Sequence, residues 1–562
     1  MRMTGASAVV RMLAGYGVTH VFFTPTILTR SLVEMDDLPI TRVSTHGEKA
    51  AAYMADGYAR ALHRPGICMA QVIGAANLSA GLKDAYMACS PMIAITGGPS
   101  PKFEGRKVYQ EVDDFTMFGP VTKLNLRVES VTRLPEMLRQ AFRVATTGSP
   151  GPVHLQLQGH WGQDIEDESA ELDIRVEEQY AEIPPFRPRP ESTAVQAVAR
   201  LLGDARRPLI IAGGGVAYSR AESELLALAE KRSIPVATSL NTKGAVPDDH
   251  PLSVGVVGSY SRTCANQTAW EADVVFFVGS QTGGQVTNSW KLINPSAQIL
   301  QLDIDGTQLG RHYSNAASMA CDAKEGLLCL IEAVTEQPNT EWNDRVSAIK
   351  ESWRNEIAPQ FVSEASPMRP ERICKEISRA LPAGGVAVTD TGHSAMWAVQ
   401  ALDLVKPNQR LIRCAGSLGW GLPGTIGVKA ALPDRPVIGF TGDGGFYYHL
   451  ADLETAARYG INMVLVVNNN DALSQEAEDF EPLYEGRAPQ SEESAKMWHY
   501  SKLNLAKVAE TLGCIGFRAE TPAELREALN AALVADKPVV IDAHSEFAAM
   551  APTAWSGAGS SQ

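Results

Sequence analysis

The last third of the chain contains Pro436-Val437-Ile438-Gly439-Phe440-Thr441-Gly442-Asp443-Gly444-Gly445, followed by Ile461-Asn462-Met463-Val464-Leu465-Val466-Val467-Asn468-Asn469-Asn470. Both runs begin as short apolar segments, as buried strands do. Between them, leucines and alanines recur at helical spacing until Tyr459-Gly460. The stretch therefore predicts a strand-helix-strand unit with parallel strands.

Polar residues stand where both predicted strands end. Gly442, Gly444 and Gly445 form a turn whose backbone can approach a phosphate closely. Asp443 and Asn470 lie 27 residues apart, and parallel strands bring their carboxyl ends to one edge of the sheet. A carboxylate and an amide oxygen suit Mg²⁺, which also takes phosphate oxygens, and a helix N-terminus favours the phosphate. The alternative is that Asp443 only caps a helix, but the asparagines at the second strand favour a metal-diphosphate site.

Composition limits the size of the fold and the kinds of ligand. With 562 residues, 45% of them hydrophobic, the chain can form three domains of ordinary size. The formal net charge of -14 argues against a nucleic-acid partner, so small solutes are the expected ligands. Eight cysteines without a Cys-x-x-Cys pair predict free thiols in a reducing cytoplasm. No apolar signal sequence and no segment of transmembrane length is present, so neither secretion nor a membrane partner is expected.

Short apolar runs alternate with helical patterns along the chain. Examples are Val21-Phe22-Phe23 and Ile67-Cys68-Met69-Ala70 near the start, and Pro208-Leu209-Ile210-Ile211-Ala212 further on. This alternation predicts the α/β fold class, with three doubly wound parallel-sheet domains. The segment Pro184-Pro185-Phe186-Arg187-Pro188-Arg189-Pro190 cannot continue a helix or a central strand, so it predicts a linker.

The metal motif resembles the fingerprint of the thiamine diphosphate (ThDP) enzymes, which is Gly-Asp-Gly, about two dozen residues, then Asn-Asn. In that family the aspartate, the second asparagine and a backbone carbonyl two residues later hold magnesium. The resemblance implies Asp443, Asn470 and the carbonyl of Ala472 as metal ligands. The cofactors implied are thiamine diphosphate and Mg²⁺.

The three α/β blocks resemble the domain plan of the acetohydroxyacid synthase and benzoylformate decarboxylase group, over essentially the whole chain. The resemblance implies a pyrimidine-binding domain at 1–165, a linker at 166–190, a central nucleotide-binding-like domain at 191–340, a linker at 341–367, a domain for diphosphate and Mg²⁺ at 368–550 and a flexible tail at 551–562.

Glu48 is the candidate for activating the coenzyme. It stands in Ser44-Thr45-His46-Gly47-Glu48-Lys49-Ala50-Ala51-Ala52-Tyr53, which resembles the family segment whose glutamate hydrogen-bonds N1′ of the aminopyrimidine. That bond favours the 4′-imino form, which acts as the internal base, and it requires a carboxylate in an apolar pocket. The alternative is a helix-start glutamate that the helix macrodipole favours.

Two glycine-bearing segments resemble the parts of the family site that shape the coenzyme. Ala415-Gly416-Ser417-Leu418-Gly419-Trp420 places Leu418 as the wedge beneath the bent coenzyme and the Gly416 carbonyl near the aminopyrimidine. Thr391-Gly392-His393-Ser394 matches the turn beside the diphosphate, to which His393 and Ser394 would donate. The alternatives are a core leucine in a glycine-rich turn and a packed helix-start histidine.

Two residues are candidates for contact with the substrate. Gln110, in Tyr109-Gln110-Glu111-Val112-Asp113, resembles the glutamine of an acetohydroxyacid synthase segment and would face the reacting carbon. Glu476 lies six residues past Asn470, where pyruvate decarboxylases carry a glutamate that handles protons. Because further acidic residues follow Glu476, a solvated helix surface explains it equally well.

The family pattern weakens at three places. Asp479 stands where acetohydroxyacid synthases carry a tryptophan that selects the acceptor keto acid. Gln281-Thr282-Gly283-Gly284-Gln285 replaces an Arg-Phe-Asp-Asp-Arg stretch, so an anionic substrate needs another partner for its carboxylate. In the first loop, Thr24-Pro25-Thr26 occupies space that the family leaves to glycine.

The central domain keeps a nucleotide-like pattern. Gly214 belongs to a run of three glycines, and Asp303 ends an apolar run, as in nucleotide-binding α/β domains. Within the family such a domain binds FAD without redox use, ADP, or no nucleotide. The sequence leaves these three alternatives open.

The resemblance implies an acetohydroxyacid synthase-like enzyme that decarboxylates a 2-keto acid and joins the product to an acceptor carbonyl. The protein would be a homodimer or homotetramer with active sites between subunits. A plain decarboxylase, or a lyase or hydrolase acting on a diketone or hydroxyacyl substrate, is the first alternative. A noncatalytic, cofactor-binding regulatory protein is the second, and a nicotinamide oxidoreductase lacks its full glycine motif.

Overall fold

Three six-stranded sheets organise the chain, which a computed structural model describes over residues 1–484 and 492–557. All strand pairs within the three sheets are parallel, and helices cover the sheets. The predicted α/β fold class with three parallel-sheet domains is therefore confirmed. A short antiparallel pair, β1 with β8, lies outside the three sheets.

The N-terminal sheet has the strand order β3-β2-β4-β5-β7-β6. Its inner strands β2, β4 and β5 are largely buried, which explains why they read as apolar runs, whereas the edge strands β3 and β6 are only partly buried. The elements of this part are β1 (Arg2–Thr4), α1 (Gly5–Gly15), β2 (His20–Phe23), α2 (Thr29–Glu34), β3 (Thr41–Ser44), α3 (Glu48–Leu62), β4 (Gly66–Ala70), α4 (Ala75–Met87), β5 (Met92–Gly98), β6 (Leu124–Val128), α5 (Leu134–Thr146), β7 (Pro152–Gln158), α6 (Gln163–Asp167) and β8 (Ser169–Glu171).

The central sheet has the order β11-β10-β9-β12-β13-β14. Glycine runs follow β9 and β12, so the chain turns sharply at the carboxyl edge of this sheet. The elements are α7 (Ser192–Asp204), β9 (Pro208–Ala212), α8 (Gly214–Ser219), α9 (Glu222–Arg232), β10 (Val236–Thr238), β11 (Ser253–Val256), α10 (Thr263–Glu271), β12 (Val274–Val278), α11 (Gly284–Thr287), β13 (Gln298–Asp303), β14 (Asn315–Ala320) and α12 (Ala323–Ala333).

The C-terminal sheet has the order β16-β15-β17-β18-β20-β19 and contains the metal motif. The predicted strand-helix-strand unit is present, with β17 parallel to β18. The elements are α14 (Pro370–Ala380), β15 (Val386–Thr389), α15 (Gly392–Ala401), β16 (Arg410–Arg413), α16 (Gly421–Ala431), β17 (Val437–Gly442), α17 (Asp443–Tyr447), α18 (Asp452–Arg458), β18 (Val464–Asn469), α19 (Ser474–Phe480), α20 (Glu492–Ala495), α21 (Leu505–Thr511), β19 (Ile515–Ala519), α22 (Pro522–Ala532) and β20 (Val539–His544).

The segments expected as second linker and tail both pack on the domains. A long helix, α13 (Thr340–Phe361), occupies most of the predicted linker and buries Trp342 and Val346 against the central domain. In the predicted tail, Ala551 is buried and the carbonyl of Trp555 accepts a hydrogen bond of 3.1 Å from Asn266. Residues 558–562 of the tail lie outside the described part.

Helices α3 and α16 join the N-terminal and C-terminal domains of the same chain. Both present small residues, and a methyl group at Gly57 would lie 3.1 Å from the carbonyl carbon of Gly424. A methyl group at Gly427 would lie 2.7 Å from the carbonyl carbon of Met54. The two backbones therefore touch at glycine positions, and this contact fixes α3 on the C-terminal domain.

The eight cysteines are free thiols, six of them buried. None of the helices in the described part of the chain combines the length and hydrophobicity that crossing a lipid bilayer requires.

Candidate active site

The metal motif folds into a tight corner at the carboxyl ends of β17 and β18. One oxygen of Asp443, Oδ2, accepts hydrogen bonds from the backbone N–H of Asn470 at 3.2 Å and of Ala472 at 3.0 Å. The other, Oδ1, accepts from the N–H of Gly444 at 2.7 Å. The Asp443 side chain is buried, as are Asn470 and Ala472. The structure thus brings together the three residues that the sequence assigned to a metal.

The chemistry of this corner fits a hard divalent cation. Burial raises the pKa of Asp443 to about 7, although its three N–H donors act in the opposite direction. A nearby cation would favour the charged carboxylate and offset its burial. Carboxylate, amide and carbonyl oxygens are also the protein ligands that Mg²⁺ prefers.

Glycines line the space beside this corner. A methyl group at Gly442 would lie 3.2 Å from the Ser394 hydroxyl, and one at Gly392 would lie 3.1 Å from the side-chain oxygen of Gln475. Gly392 also has φ +67°, which glycine adopts without strain. The turns after β15 and β17 therefore face each other across a narrow gap, as a diphosphate cradle requires.

His393 is held by protein groups at the rim of this gap. Its Nδ1 lies 3.2 Å from the hydroxyl of Ser474, and its Nε2 lies 3.1 Å from Oε2 of Glu478. Burial lowers the pKa of His393, while the carboxylate of Glu478 acts in the opposite direction. Both ring nitrogens thus face α19, so contact with a phosphate would require the ring to change partners.

The loop that carries Leu418 is tied to the C-terminal sheet by Asp390. This buried carboxylate accepts hydrogen bonds from the backbone N–H groups of Thr391 at 2.8 Å and Gly421 at 2.9 Å. Its two oxygens lie 3.1 and 3.2 Å from the N–H of Gly419. Burial raises the pKa of Asp390 to about 6. Asp390 therefore links the diphosphate-side turn to the Leu418 loop, a role that the sequence analysis missed.

Glu48 is the first residue of α3, and its side chain contacts α4 of the same domain. Its Oε2 accepts a hydrogen bond of 3.2 Å from the Asn77 amide, and its side chain rests on Gly74, where α4 begins. In the described residues no hydrogen bond or ion pair joins Glu48 to Asp443 or Asn470.

The Gly74→Ala variant tests whether activity depends on the position of the Glu48 carboxylate. The added methyl carbon would lie 2.7 Å from Cδ of Glu48, so the carboxylate must move. Because misplacement of a catalytic group by about 1 Å costs up to ~100-fold in rate, we expect kcat to fall at least ~10-fold, measured by steady-state kinetics. Gly203→Ala is the control, because a methyl group there meets nothing within 4 Å. Equal rates for both variants would contradict this placement.

Gln110 and Glu476 occupy opposite parts of the chain. Gln110 lies in the loop between β5 and β6 with φ +59°, beside the highly exposed Tyr109. Glu476 lies exposed in the first turn of α19. The structure places Glu476 on the same side of the C-terminal domain as the metal corner, and it does not bring Gln110 there.

Tyr500 is a further candidate that the sequence analysis missed. The segment around it pairs with the strand end at Asp471, whose carbonyl accepts the Tyr500 N–H at 2.7 Å. A methyl group at Gly444 would lie 3.2 Å from its hydroxyl. Burial, together with the charges of Asp443 and Glu476, raises the pKa of Tyr500 to about 12. A neutral phenol thus faces the metal corner, and no local motif announces it.

A separate cleft of about 360 Å³ opens at the carboxyl edge of the central sheet. Gly214 and Asp303 both line it, together with residues of the two other domains such as Pro150 and Arg413. Burial raises the pKa of Asp303 to about 6. Gln281 also lines the cleft, and its amide lies 3.4 Å from Sγ of Cys89. The glycine run and Asp303 therefore meet, as the nucleotide-like pattern predicts.

Three matches to known families cover these three domains. Residues 3–117 match the thiamine pyrophosphate enzyme N-terminal TPP binding domain, residues 195–330 the central domain, and residues 390–543 the C-terminal TPP binding domain. The chain belongs to the thiamine pyrophosphate (thiamine diphosphate) enzymes. The predicted family is confirmed, and the two TPP binding domains agree with thiamine diphosphate as cofactor.

Within this family the chain is similar to acetolactate synthase large subunits. It is 32% identical to the probable acetolactate synthase large subunit of Methanocaldococcus jannaschii, over 96% of this chain and 91% of that protein. It is 31% identical to the acetolactate synthase large subunit of Corynebacterium glutamicum, over 96% and 86%. It is 29% identical to the acetolactate synthase isozyme 1 large subunit of Escherichia coli, over 98% and 96%. The predicted likeness to acetohydroxyacid (acetolactate) synthase is confirmed.

Proposed function

We propose that this protein is a thiamine diphosphate-dependent enzyme that decarboxylates a 2-keto acid and joins the remaining fragment to a second carbonyl compound. The observation that carries the proposal is the metal corner, in which Asp443 holds the backbone of Asn470 and Ala472 at the edge of a parallel sheet. The near full-length similarity to acetolactate synthases supports this reaction over the lyase, hydrolase and regulatory alternatives.

Thiamine diphosphate, when bound, supplies the nucleophilic carbon and the electron sink for decarboxylation. In this proposal Asp443, Asn470 and the Ala472 carbonyl hold Mg²⁺, and Ser394 with the turn glycines binds the diphosphate. Leu418 supports the bent coenzyme from below. The residues of the chain therefore contribute binding, orientation and the exclusion of water.

In this proposal, side chains around the bound coenzyme carry out proton transfer. Glu48 would hold a proton at its carboxylate, facing the aminopyrimidine N1′. Glu476 lies near Tyr500. The raised pKa of the Tyr500 phenol keeps the phenol neutral and able to donate a hydrogen bond. Gln110 would orient the keto acid through its amide.

Product analysis with pyruvate tests this function. We expect CO₂ release together with acetolactate, in the presence of Mg²⁺ and thiamine diphosphate. Acetaldehyde without acetolactate would replace the proposal with a plain decarboxylase. No turnover of any 2-keto acid would overturn both.

We also propose a homodimer, or a tetramer of two such dimers, in which Glu48 from one chain completes the site that Asp443 and Asn470 form in the other. Within the described residues of one chain, the Glu48 side chain contacts Asn77 and Gly74 and makes no hydrogen bond to the metal corner, which fits this arrangement.

Mixing two inactive variants tests the shared site. A dimer of one Glu48→Gln chain and one Asp443→Asn chain has one site with both native carboxylates. Since half of the dimers formed at random are hybrids with one intact site of two, we expect about a quarter of the wild-type activity. The activity is measured after co-expression, and each variant alone is the control. No recovery would place both residues of a site in one chain.

For the central cleft we propose FAD as the ligand. Gly213 to Gly215 line the cleft with backbone and no side chain, and Asp303 offers a buried carboxylate for a ribose or base. The absorption spectrum of the purified protein tests this choice, since bound flavin absorbs in the visible. A colourless protein that releases ADP on denaturation would favour ADP, and one that releases no nucleotide would leave the cleft without this role. We assign the protein to the reducing cytoplasm, where its free thiols are stable.

A further inference from the structure

A buried carboxylate of the N-terminal domain grips the loop that carries Leu418. We propose that Asp84, in α4, is a positioning residue that holds this loop of its own chain in place before the coenzyme binds. The proposal rests on the proposed function, because it takes Leu418 as the support of the coenzyme. The observations behind it are hydrogen bonds between the N-terminal and C-terminal domains.

Asp84 accepts three consecutive backbone hydrogen bonds from the C-terminal domain. Its Oδ1 accepts from the N–H of Ala415 at 2.7 Å, and its Oδ2 accepts from Gly416 at 3.1 Å and Ser417 at 3.0 Å. The Asp84 side chain is completely buried. A carboxylate that accepts several N–H groups in a buried place forms the stronger, charge-assisted kind of hydrogen bond. The three residues just before Leu418 are therefore fixed by one side chain.

Arg60 balances the charge of this carboxylate and ties it to a second one. Its Nη2 lies 2.8 Å from Oδ1 of Asp84, and its Nε donates to Asp56 at 2.8 Å. Its Nη1 donates to the carbonyl of Arg413. Asp56 in turn accepts from the indole N–H of Trp420 at 2.9 Å. The N-terminal domain thus contacts the loop both before and after Leu418.

The loop needs such fixing because of its own sequence. Gly416 has φ +156° and Gly419 has φ +88°, and glycines leave a free loop many conformations. Asp390 holds the half that follows Leu418, through Gly419 and Gly421. Asp84 holds the half that precedes it. Leu418 itself lies between the two anchors, so its backbone position is set without any contact from the coenzyme.

Helix α4 touches two parts of the catalytic apparatus. Asn77 in its first turn contacts Glu48, and Asp84 follows seven residues later, two turns along the same face. If Glu48 serves the neighbouring chain, α4 supports one site through Asn77 and its own site through Asp84.

Hydrogen–deuterium exchange of the protein without coenzyme tests the proposal independently of activity. In Asp84→Asn the side-chain amide cannot accept three N–H groups as the carboxylate does. We expect the amides of residues 415–417 to exchange at least ~10-fold faster than in the wild type, because their protecting hydrogen bonds weaken. The dissociation constant for thiamine diphosphate with Mg²⁺, followed by tryptophan fluorescence, should rise at least ~10-fold as the loop loses its preorganisation.

Asp56→Asn is the matched control. It removes a buried carboxylate bound to the same Arg60, but leaves the three Asp84 hydrogen bonds to residues 415–417 in place. We expect those amides to exchange as in the wild type. If a folded Asp84→Asn protein also shows unchanged exchange and coenzyme affinity, the proposal is wrong.

Leu418→Ala separates positioning from a general loss of stability. If Asp84 acts through Leu418, the double variant Asp84→Asn/Leu418→Ala should bind the coenzyme no more weakly than Leu418→Ala alone. Additive losses would overturn the role. Should Asp84→Asn fail to fold, Asp84→Glu, which keeps the charge, is subjected to the same exchange measurement. It should give faster exchange at 415–417 than the wild type, with exchange in α16 unchanged. If the wild-type protein does not act on keto acids but its amides at 415–417 exchange slowly, the proposed function is wrong and the role of Asp84 as an anchor still holds.

Discussion

Replacing Asp443 by asparagine should abolish the Mg²⁺-dependent binding of thiamine diphosphate. The variant loses the only charged oxygen among the three proposed ligands, and its amide N–H₂ would face the N–H groups of Asn470 and Ala472, which now bond to the carboxylate. Residues that merely support metal ligands cost ~10–100-fold in affinity when lost. For a direct ligand we expect a loss of at least ~100-fold, measured by titration calorimetry with Mg²⁺ and coenzyme.

Asp471→Asn is the matched control for this loss of charge. Asp471 is adjacent to Asn470, and its contribution to the corner is a backbone carbonyl that accepts the Tyr500 N–H. Its side-chain charge raises the pKa of Asp443 but makes no hydrogen bond to it in the described structure. We expect coenzyme affinity to change less than ~5-fold, as for a screened neighbouring charge. Equal losses for both variants would remove Asp443 from the metal site.

The Glu48→Gln variant should bind the coenzyme and turn it over poorly. Glutamine keeps the shape of the side chain and its contact with Asn77, but it cannot hold the proton that a carboxylate holds. General acid-base groups contribute ~100-fold to ~10,000-fold in rate, so we expect kcat to fall in that range. Coenzyme affinity should stay within ~3-fold, since the metal corner is untouched.

Glu222→Gln is the control for Glu48. Glu222 also stands in the first turn of a helix, α9, and is similarly half-buried. The substitution removes a charge that the helix macrodipole favours. Such a helix-start charge is the alternative explanation for Glu48. A wild-type rate for Glu222→Gln beside a slow Glu48→Gln supports catalysis. Wild-type rates for both variants would leave Glu48 as a helix-start residue only.

The sequence predicted the sheets well because their signal is local. The runs at 437–442 and 464–469 are continuous apolar strands with glycine or asparagine at their ends, and buried parallel strands have this pattern. Since parallel strands must end on the same edge, the meeting of Asp443 with Asn470 followed from topology alone. Here local pattern and global fold agree.

The anchors around Leu418 could not be predicted in this way. Asp84 and Ser417 are 333 residues apart, and periodicity within α4 carries no information about a partner in another domain. The one local sign was an aspartate among buried positions, beside Leu82 and Ala85. A buried carboxylate needs partners, but its own sequence does not name them. Tyr500 was missed because nothing in its own segment indicates that the backbone there pairs with Asp471, next to the metal asparagine.

One departure from the acetohydroxyacid synthase pattern lies near the proposed active site, and another lies in the separate central cleft. Asp479 lies exposed in α19, where an aromatic side chain was expected, and Gln281 lines the central cleft in place of an arginine. The aspartate adds negative charge near His393 and so reduces the attraction for an anionic acceptor. We therefore expect the choice of the second substrate, rather than the first decarboxylation, to distinguish this protein from its relatives.

The glycine contact between α3 and α16 has a consequence for the history of the chain. Where the two backbones touch, no side chain lies between them that could adjust to a helix of different sequence. The first and last domains can thus diverge only in step, and a chimera with a relative must exchange both helices at once.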